Sequence, residues 1–118
     1  MDLRVKRIYE DPAPDDGARV LVDRLWPRGV SKSRGQLDAW LREIGPSDEL
    51  RKWFGHDPSR WDEFADRYAA ELDKKPELVE ELEALATNGR VTLLYSARDE
   101  HHNQAVVLES YLKERNRV

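Results

Sequence analysis

Apolar and basic residues alternate from Leu3 to Tyr9 (LRVKRIY), the pattern of a half-exposed strand. The segment Glu10–Ala18 (EDPAPDDGA) holds two Pro, one Gly and four acids and reads as a loop. A second strand is expected over Val20–Leu25, which opens on three consecutive apolar residues, and a third over Val91–Tyr95 (VTLLY). Uninterrupted apolar runs of this length suit strands covered on both faces, the usual condition of a parallel sheet.

Between the second and third strands the pattern changes to a helical period. Leu37, Trp40, Leu41 and Ile44 make one short amphipathic helix, stopped by Gly45-Pro46. Ser47 is placed to cap a turn or two carrying Leu50, Trp53 and Phe54. Asp57-Pro58 is an N-cap followed by Pro at the first helical position, and it sets Trp61, Phe64, Tyr68 and Leu72 on one face. Pro76 opens another helix, closed by Asn88-Gly89, and a last one runs from about Glu100 to Arg115. The order predicts one small α/β domain over residues 1–118. Its sheet is three-stranded and mostly parallel, packed with about five helices in two or three layers and crossed over right-handedly. No repeat, low-complexity tract or linker interrupts it.

In open parallel sheets, ligands bind beyond the carboxyl ends of the strands. That rule selects Asp23–Ser33 (DRLWPRGVSKS) after the second strand and Ser96–Asn103 (SARDEHHN) after the third. Arg24 and Arg28 present forks that match carboxylate or phosphate oxygens. The architectural alternative is an ion pair of Arg24 with Asp23 or Asp99. With Asp99 as helix cap, the amides near Glu100–His102 and the helix dipole favour an anion, with Arg98 and His101 or His102 adding charge. Ser96 and Asn103 bring polar groups to the same region, and Trp26 either covers the core edge or stacks on a ligand. Asp23, at the end of a buried strand, is a general base or an anchor for an arginine.

Composition narrows the classes. The chain has 118 residues, 39% hydrophobic and 37% charged, with a formal net charge of −4, which argues against a generic phosphate-contacting nucleic-acid binder. No apolar run approaches a membrane span and no signal peptide opens the chain. Cysteine is absent, excluding disulfides, Cys-based zinc sites and thiol nucleophiles and agreeing with a cytoplasmic location. His56, Asp57, His101 and His102 form a weak metal set, because adjacent histidines on a helix point about 100° apart and Asp57 has a capping role; no metal is assigned. Cofactor motifs of the GxGxxG, GxxxxGK[ST] and GxSxG kinds are missing, and no cofactor is expected.

At VLVDRLWPRGVSK (from Val20), ELRKWFGHDPSRWDEF (from Glu49) and VTLLYSARDEHHNQAVVL (from Val91) the chain resembles the YeaO-like proteins, small bacterial cytoplasmic proteins of the family called domain of unknown function 488. The resemblance implies a compact α/β fold with a parallel sheet and brings no assigned reaction. The broader family joins its first two strands by a helix; here Glu10–Ala18 stands in that place, which leaves the direction of the first strand open. The family's D-x-R turn corresponds to Asp23-Arg24-Leu25. Its Cys-His-Arg run has Tyr95-Ser96 and His102-Asn103-Gln104 in the same neighbourhood, so thiol chemistry does not carry over.

The functional expectation is a pocket for a small anionic or phosphorylated ligand. Arg24, Arg28 and Arg98 would hold the anion; Trp26, Ser96, His102 and Asn103 would line the site. Any acid–base or hydrolytic step would fall to Asp23 and His101. The rivals are a protein-interaction module built on the Trp-rich middle, which exposed Trp53, Trp61 or Phe64 in one apolar patch would support, and weak nucleic-acid binding through Arg24, Arg28, Lys32 and Arg34.

Overall fold

In the computed structural model, residues 1–117 are described. Four strands, β1 (Leu3–Arg7), β2 (Ala18–Leu21), β3 (Ala39–Trp40) and β4 (Val91–Tyr95), form one sheet in the order β1-β4-β2-β3. Every neighbouring pair is parallel. The three-stranded expectation is therefore corrected to four, and the direction of the first strand is settled as parallel to β4. Among the described residues five α-helices accompany them: α1 (Lys32–Gly35), α2 (Asp48–Phe54), α3 (Trp61–Asp73), α4 (Pro76–Asn88) and α5 (Gln104–Arg115).

The register places Val5, Leu93 and Val20 side by side, and Lys6, Leu94 and Leu21 one step on. Side chains alternate across a strand, so these rows face opposite sides. Leu3, Val20, Val22, Val91, Leu93 and Tyr95 join the main core with Phe54, Phe64, Tyr68, Leu72, Leu82 and Leu108 from the helices. The other side holds a small core of Ile8, Leu21, Val30 and Leu94, covered by Trp26, Leu37 and Trp40. Helices thus dominate one face, while the loop before and after α1 covers the other.

β3 sits where a helix was expected. Leu37 and Trp40 pack on the small core while Leu41 and Ile44 pack on the main one. Their helix-like spacing arises from a short strand followed by a turn that serve both sides of the sheet. The amides of Asp38 and Leu41 donate to the carbonyls of Arg19 (2.8 Å) and Leu21 (3.0 Å), and Arg42–Ile44 forms a 3-10 turn. Ser47 caps α2 by accepting from the Leu50 amide. Asp57 caps as expected, but it opens a 3-10 turn at Pro58–Arg60 that leads into α3.

The polar edge of the second face is tied by charge. Asp16, 6% exposed, accepts from Arg19 Nη1 at 2.6 Å and from Lys6 Nζ at 3.0 Å, and Arg19 itself is 5% exposed. Just before β2, Gly17 has φ +67, and a Cβ there would lie 2.3 Å from the Arg90 carbonyl oxygen. Glycine alone fits this close approach, which seats β2 against the start of β4.

Candidate functional site

β2 and β4 are neighbours, so the segments leaving their carboxyl ends open beside each other. Between them lies a cavity of about 640 Å³. Asp23, Arg24, Trp26, Arg28, Ser96, Arg98, His102 and Asn103 all line it. The two segments selected from the sequence are thus brought together.

Asp23 joins the two walls. The chain leaves β2 after the Val22 amide has donated to the Leu94 carbonyl (3.1 Å), and Asp23 follows, 8% exposed. Its Oδ2 accepts from the Ser96 backbone N–H at 3.0 Å, and its Oδ1 accepts from Gln104 Nε2 at the start of α5. Burial pushes its carboxyl above the usual carboxylate value, against the opposing hydrogen bonds of Ser96 and Gln104 and the charge of Arg51. Both carboxylate oxygens are therefore occupied by groups that hold β2, β4 and α5 in register, and Asp23 pairs with no arginine.

Arg24 departs from its expected role. Its Nε and Nη2 donate to the carbonyls of Pro46 (3.0 Å) and Gly45 (3.1 Å), and Nη1 lies 3.3 Å from Glu43. The fork is spent on the loop that precedes α2, where it is an architectural clamp on the cavity wall. Arg28 and Arg98 differ. Both are exposed, and among the described residues neither guanidinium has a hydrogen bond or ion pair. The backbone beneath each is fixed: Tyr9 Oη donates to the Arg28 carbonyl at 2.8 Å, and Arg7 Nε donates to the Ala97 carbonyl at 2.9 Å.

The last helix begins later than expected. Asn103 caps α5, its Oδ1 accepting from the Val106 amide at 3.1 Å, and it is 2% exposed. Asp99 instead closes the preceding turn, accepting from the amides of His101 (2.9 Å) and His102 (3.0 Å). These bonds hold its carboxyl below the usual range. The amides expected to meet an anion are thus already taken, and Asn103 serves the helix. His101 is exposed and lies outside the cavity lining, so it does not meet Asp23. His102 lines the cavity instead, edge-on to Trp61 at 5.1 Å, with Nδ1 2.8 Å from Asp99 Oδ2. A proton on Nδ1 leaves Nε2 an acceptor in the neutral ring and a donor when the ring is charged.

Trp26 covers the core edge and also faces the cavity. Its Nε1 donates to the Val30 carbonyl at 2.7 Å and its ring meets Trp40 edge-on at 5.2 Å, yet it also lines the cavity. Sequence reasoning read Phe54 and Phe64 as core, weighed His56 only for a metal and did not single out Arg51; all four line the cavity from the helical side. Arg51 Nε is buried without a partner, although Nη2 reaches Asp48 at 3.1 Å. His56 holds φ +57, a left-handed conformation costly for a side-chain-bearing residue, directly after Gly55 at φ +54. The dipeptide GH followed by a capping Asp-Pro was the available signal for that bend.

Some of the side chains named for the two rival surfaces are engaged elsewhere. Phe64 is 2% exposed, and Trp53 lies under the guanidinium groups of Arg67 (4.5 Å) and Arg60 (5.4 Å). On the basic segment, Arg24 is turned to carbonyls and Arg34 lies 3.3 Å from Asp11. Among the described residues no group of three or more His, Asp or Glu side chains is arranged to hold a metal ion, and no helix is long and apolar enough to cross a membrane.

The fold and site define a small parallel α/β domain with a charged cavity at its strand ends and no thiol. The chain belongs to the family described as the inactive DUF488-N3 subclade, which it matches over residues 2–117. It is 44% identical over 113 residues to the uncharacterized protein Rv3073c of Mycobacterium tuberculosis, covering 96% of this chain and 95% of that one. It is 42% identical over 113 residues to the uncharacterized protein YeaO of Escherichia coli, covering 96% and 98% respectively. No solved structure matches the chain significantly.

Proposed function

We propose that this protein binds a small organic anion in the strand-end cavity and releases it unchanged. The observation that carries this reading is the pair of unengaged guanidinium groups, Arg28 and Arg98, one on each wall segment of a single cavity. Charged groups that the fold does not use, held on fixed backbone beside a concavity of ligand size, suit anion recognition. Binding without turnover fits the remaining chemistry. Asp23 is occupied on both oxygens, His101 stands apart from the cavity, and the chain has no cysteine. The description of the subclade as inactive agrees with this.

A thermal-shift screen of phosphorylated and carboxylated metabolites tests the reading. A ligand that binds only the folded state stabilises it by about 2.7 kcal/mol at a hundred times its Kd. The expected result is a clear rise in Tm for some anions, reduced in Arg28→Ala and Arg98→Ala. If no anion stabilises the protein, or both variants respond as the wild type does, the reading is wrong.

A further inference from the structure

Resting on the anion reading above, we infer that the ligand of this cavity is an aromatic organic acid, with a flat ring inside and its anionic group at the rim. The wall grades from buried to exposed. Phe64 (2% exposed), Phe54 (5%) and the carboxyl of Asp23 (8%) belong to the floor, whereas Arg28 and Arg98 are exposed. Charge is therefore met at the mouth and aromatic surface below it.

The distribution of exposed apolar surface points the same way. Among the described residues the large apolar side chains left exposed are Met1, Tyr9, Leu25 and Leu85; Tyr9 and Leu25 both stand on this cavity. Leu25, 56% exposed, directly follows Arg24, whose guanidinium is clamped to Pro46 and Gly45, so its exposure is held by the fold. Tyr9 and Leu25 thus put apolar surface beside the two guanidinium groups at the mouth, which favours a ligand that carries an apolar body as well as its charge. Trp26, Phe54 and Phe64 add ring faces and edges suited to offset or edge-to-face packing.

The rim favours the anionic end. The two guanidinium groups without a partner, Arg28 and Arg98, are exposed there, whereas inward a negative group meets the buried Asp23 carboxyl beside the half-buried Arg51. Orientation follows from this polarity. A bare inorganic anion would also leave most of a 640 Å³ cavity unfilled.

Three probes separate the parts of the inference: phenyl phosphate, inorganic phosphate and phenol, each titrated into the full chain with amide NMR shifts as the readout. Phenyl phosphate is expected to bind about tenfold tighter than either fragment, from ring burial added to charge pairing. Arg98→Ala, an exposed site that leaves the fold intact, is expected to bring phenyl phosphate down towards phenol. Inorganic phosphate binding as tightly as phenyl phosphate would overturn the aromatic inference and leave the anion reading standing. Phenol binding as tightly as phenyl phosphate, or no probe binding at all, would overturn the anion reading itself.

Discussion

Replacing Asp23 separates two roles for a buried carboxylate at a strand end. In Asp23→Ala the Ser96 amide and the Gln104 side chain each lose their acceptor. Ser96 and Gln104 are both half-buried on the cavity wall, but the Gln104 side chain can turn to water whereas the Ser96 N–H is fixed in the backbone, so more of the cost falls on Ser96. An unsatisfied buried donor costs about 1–3 kcal/mol, or a Tm lower by roughly 4–12 °C in a domain of this size. Asp23→Asn keeps an acceptor for Ser96 and removes a charge whose burial is unfavourable, so its net effect at neutral pH is expected within about 1 kcal/mol. The pH dependence gives a second readout. Because the folded carboxyl is held above its ordinary value of 3.8, the native state binds its proton more tightly than the unfolded state. This group therefore adds stability at low pH, and that contribution declines as pH rises from about 4 through the folded value. Denaturant melts from pH 3.5 to 8 should show this decline in the stability difference between wild type and Asp23→Asn, because carboxylates held below the usual range, Asp16 and Asp99 among them, impose the opposite slope on both proteins. If Asn is as destabilising as Ala, or the difference between wild type and Asn does not change with pH, the carboxylate is not the buried acceptor described.

Other perturbations follow from the same contacts. Asp16→Ala leaves Arg19 charged and buried, and should cost about 3–5 kcal/mol in denaturant unfolding; a loss below 1 kcal/mol would mean the network is solvated. Tyr68→Phe removes the buried hydroxyl donor to the Ile44 carbonyl (2.7 Å) and should cost about 1–2 kcal/mol in the same assay, with β-sheet circular dichroism unchanged. Gly17→Ala should cost more than about 1 kcal/mol, from its positive φ and the contact with Arg90; a neutral result would show that this turn relaxes freely. Arg28→Ala and Arg98→Ala should each leave stability within about 0.5 kcal/mol while weakening anion binding by up to about tenfold in calorimetry.

Much of the site was legible because the strand-end rule needs only the strands. Val20–Val22 and Val91–Tyr95 announce themselves by continuous apolar character, and whatever follows them must meet at the carboxyl edge once they are neighbours. The roles within the site were less legible. Arg24 and Arg28 are chemically alike, and only the position of Gly45 and Pro46 decides that one fork is consumed by carbonyls. Asp99 and Asn103 are both capping residue types four positions apart, and either spacing suits a helix start. β3 was hidden because its apolar residues serve two cores in a helix-like spacing. Phe54 and Phe64 read as core residues, which they are; that they also floor a cavity depends on how α2 and α3 pack beside β4.

The most direct test of the central claim is a map of amide and Trp indole NMR shifts on adding phenyl phosphate to the full chain. The account predicts saturable shifts confined to the cavity lining, at Tyr9 and Phe64 and within residues 23–28, 51–56 and 96–104, with the Trp26 indole N–H among them. Shifts that centre on the α3–α5 surface, or that never saturate, would contradict it.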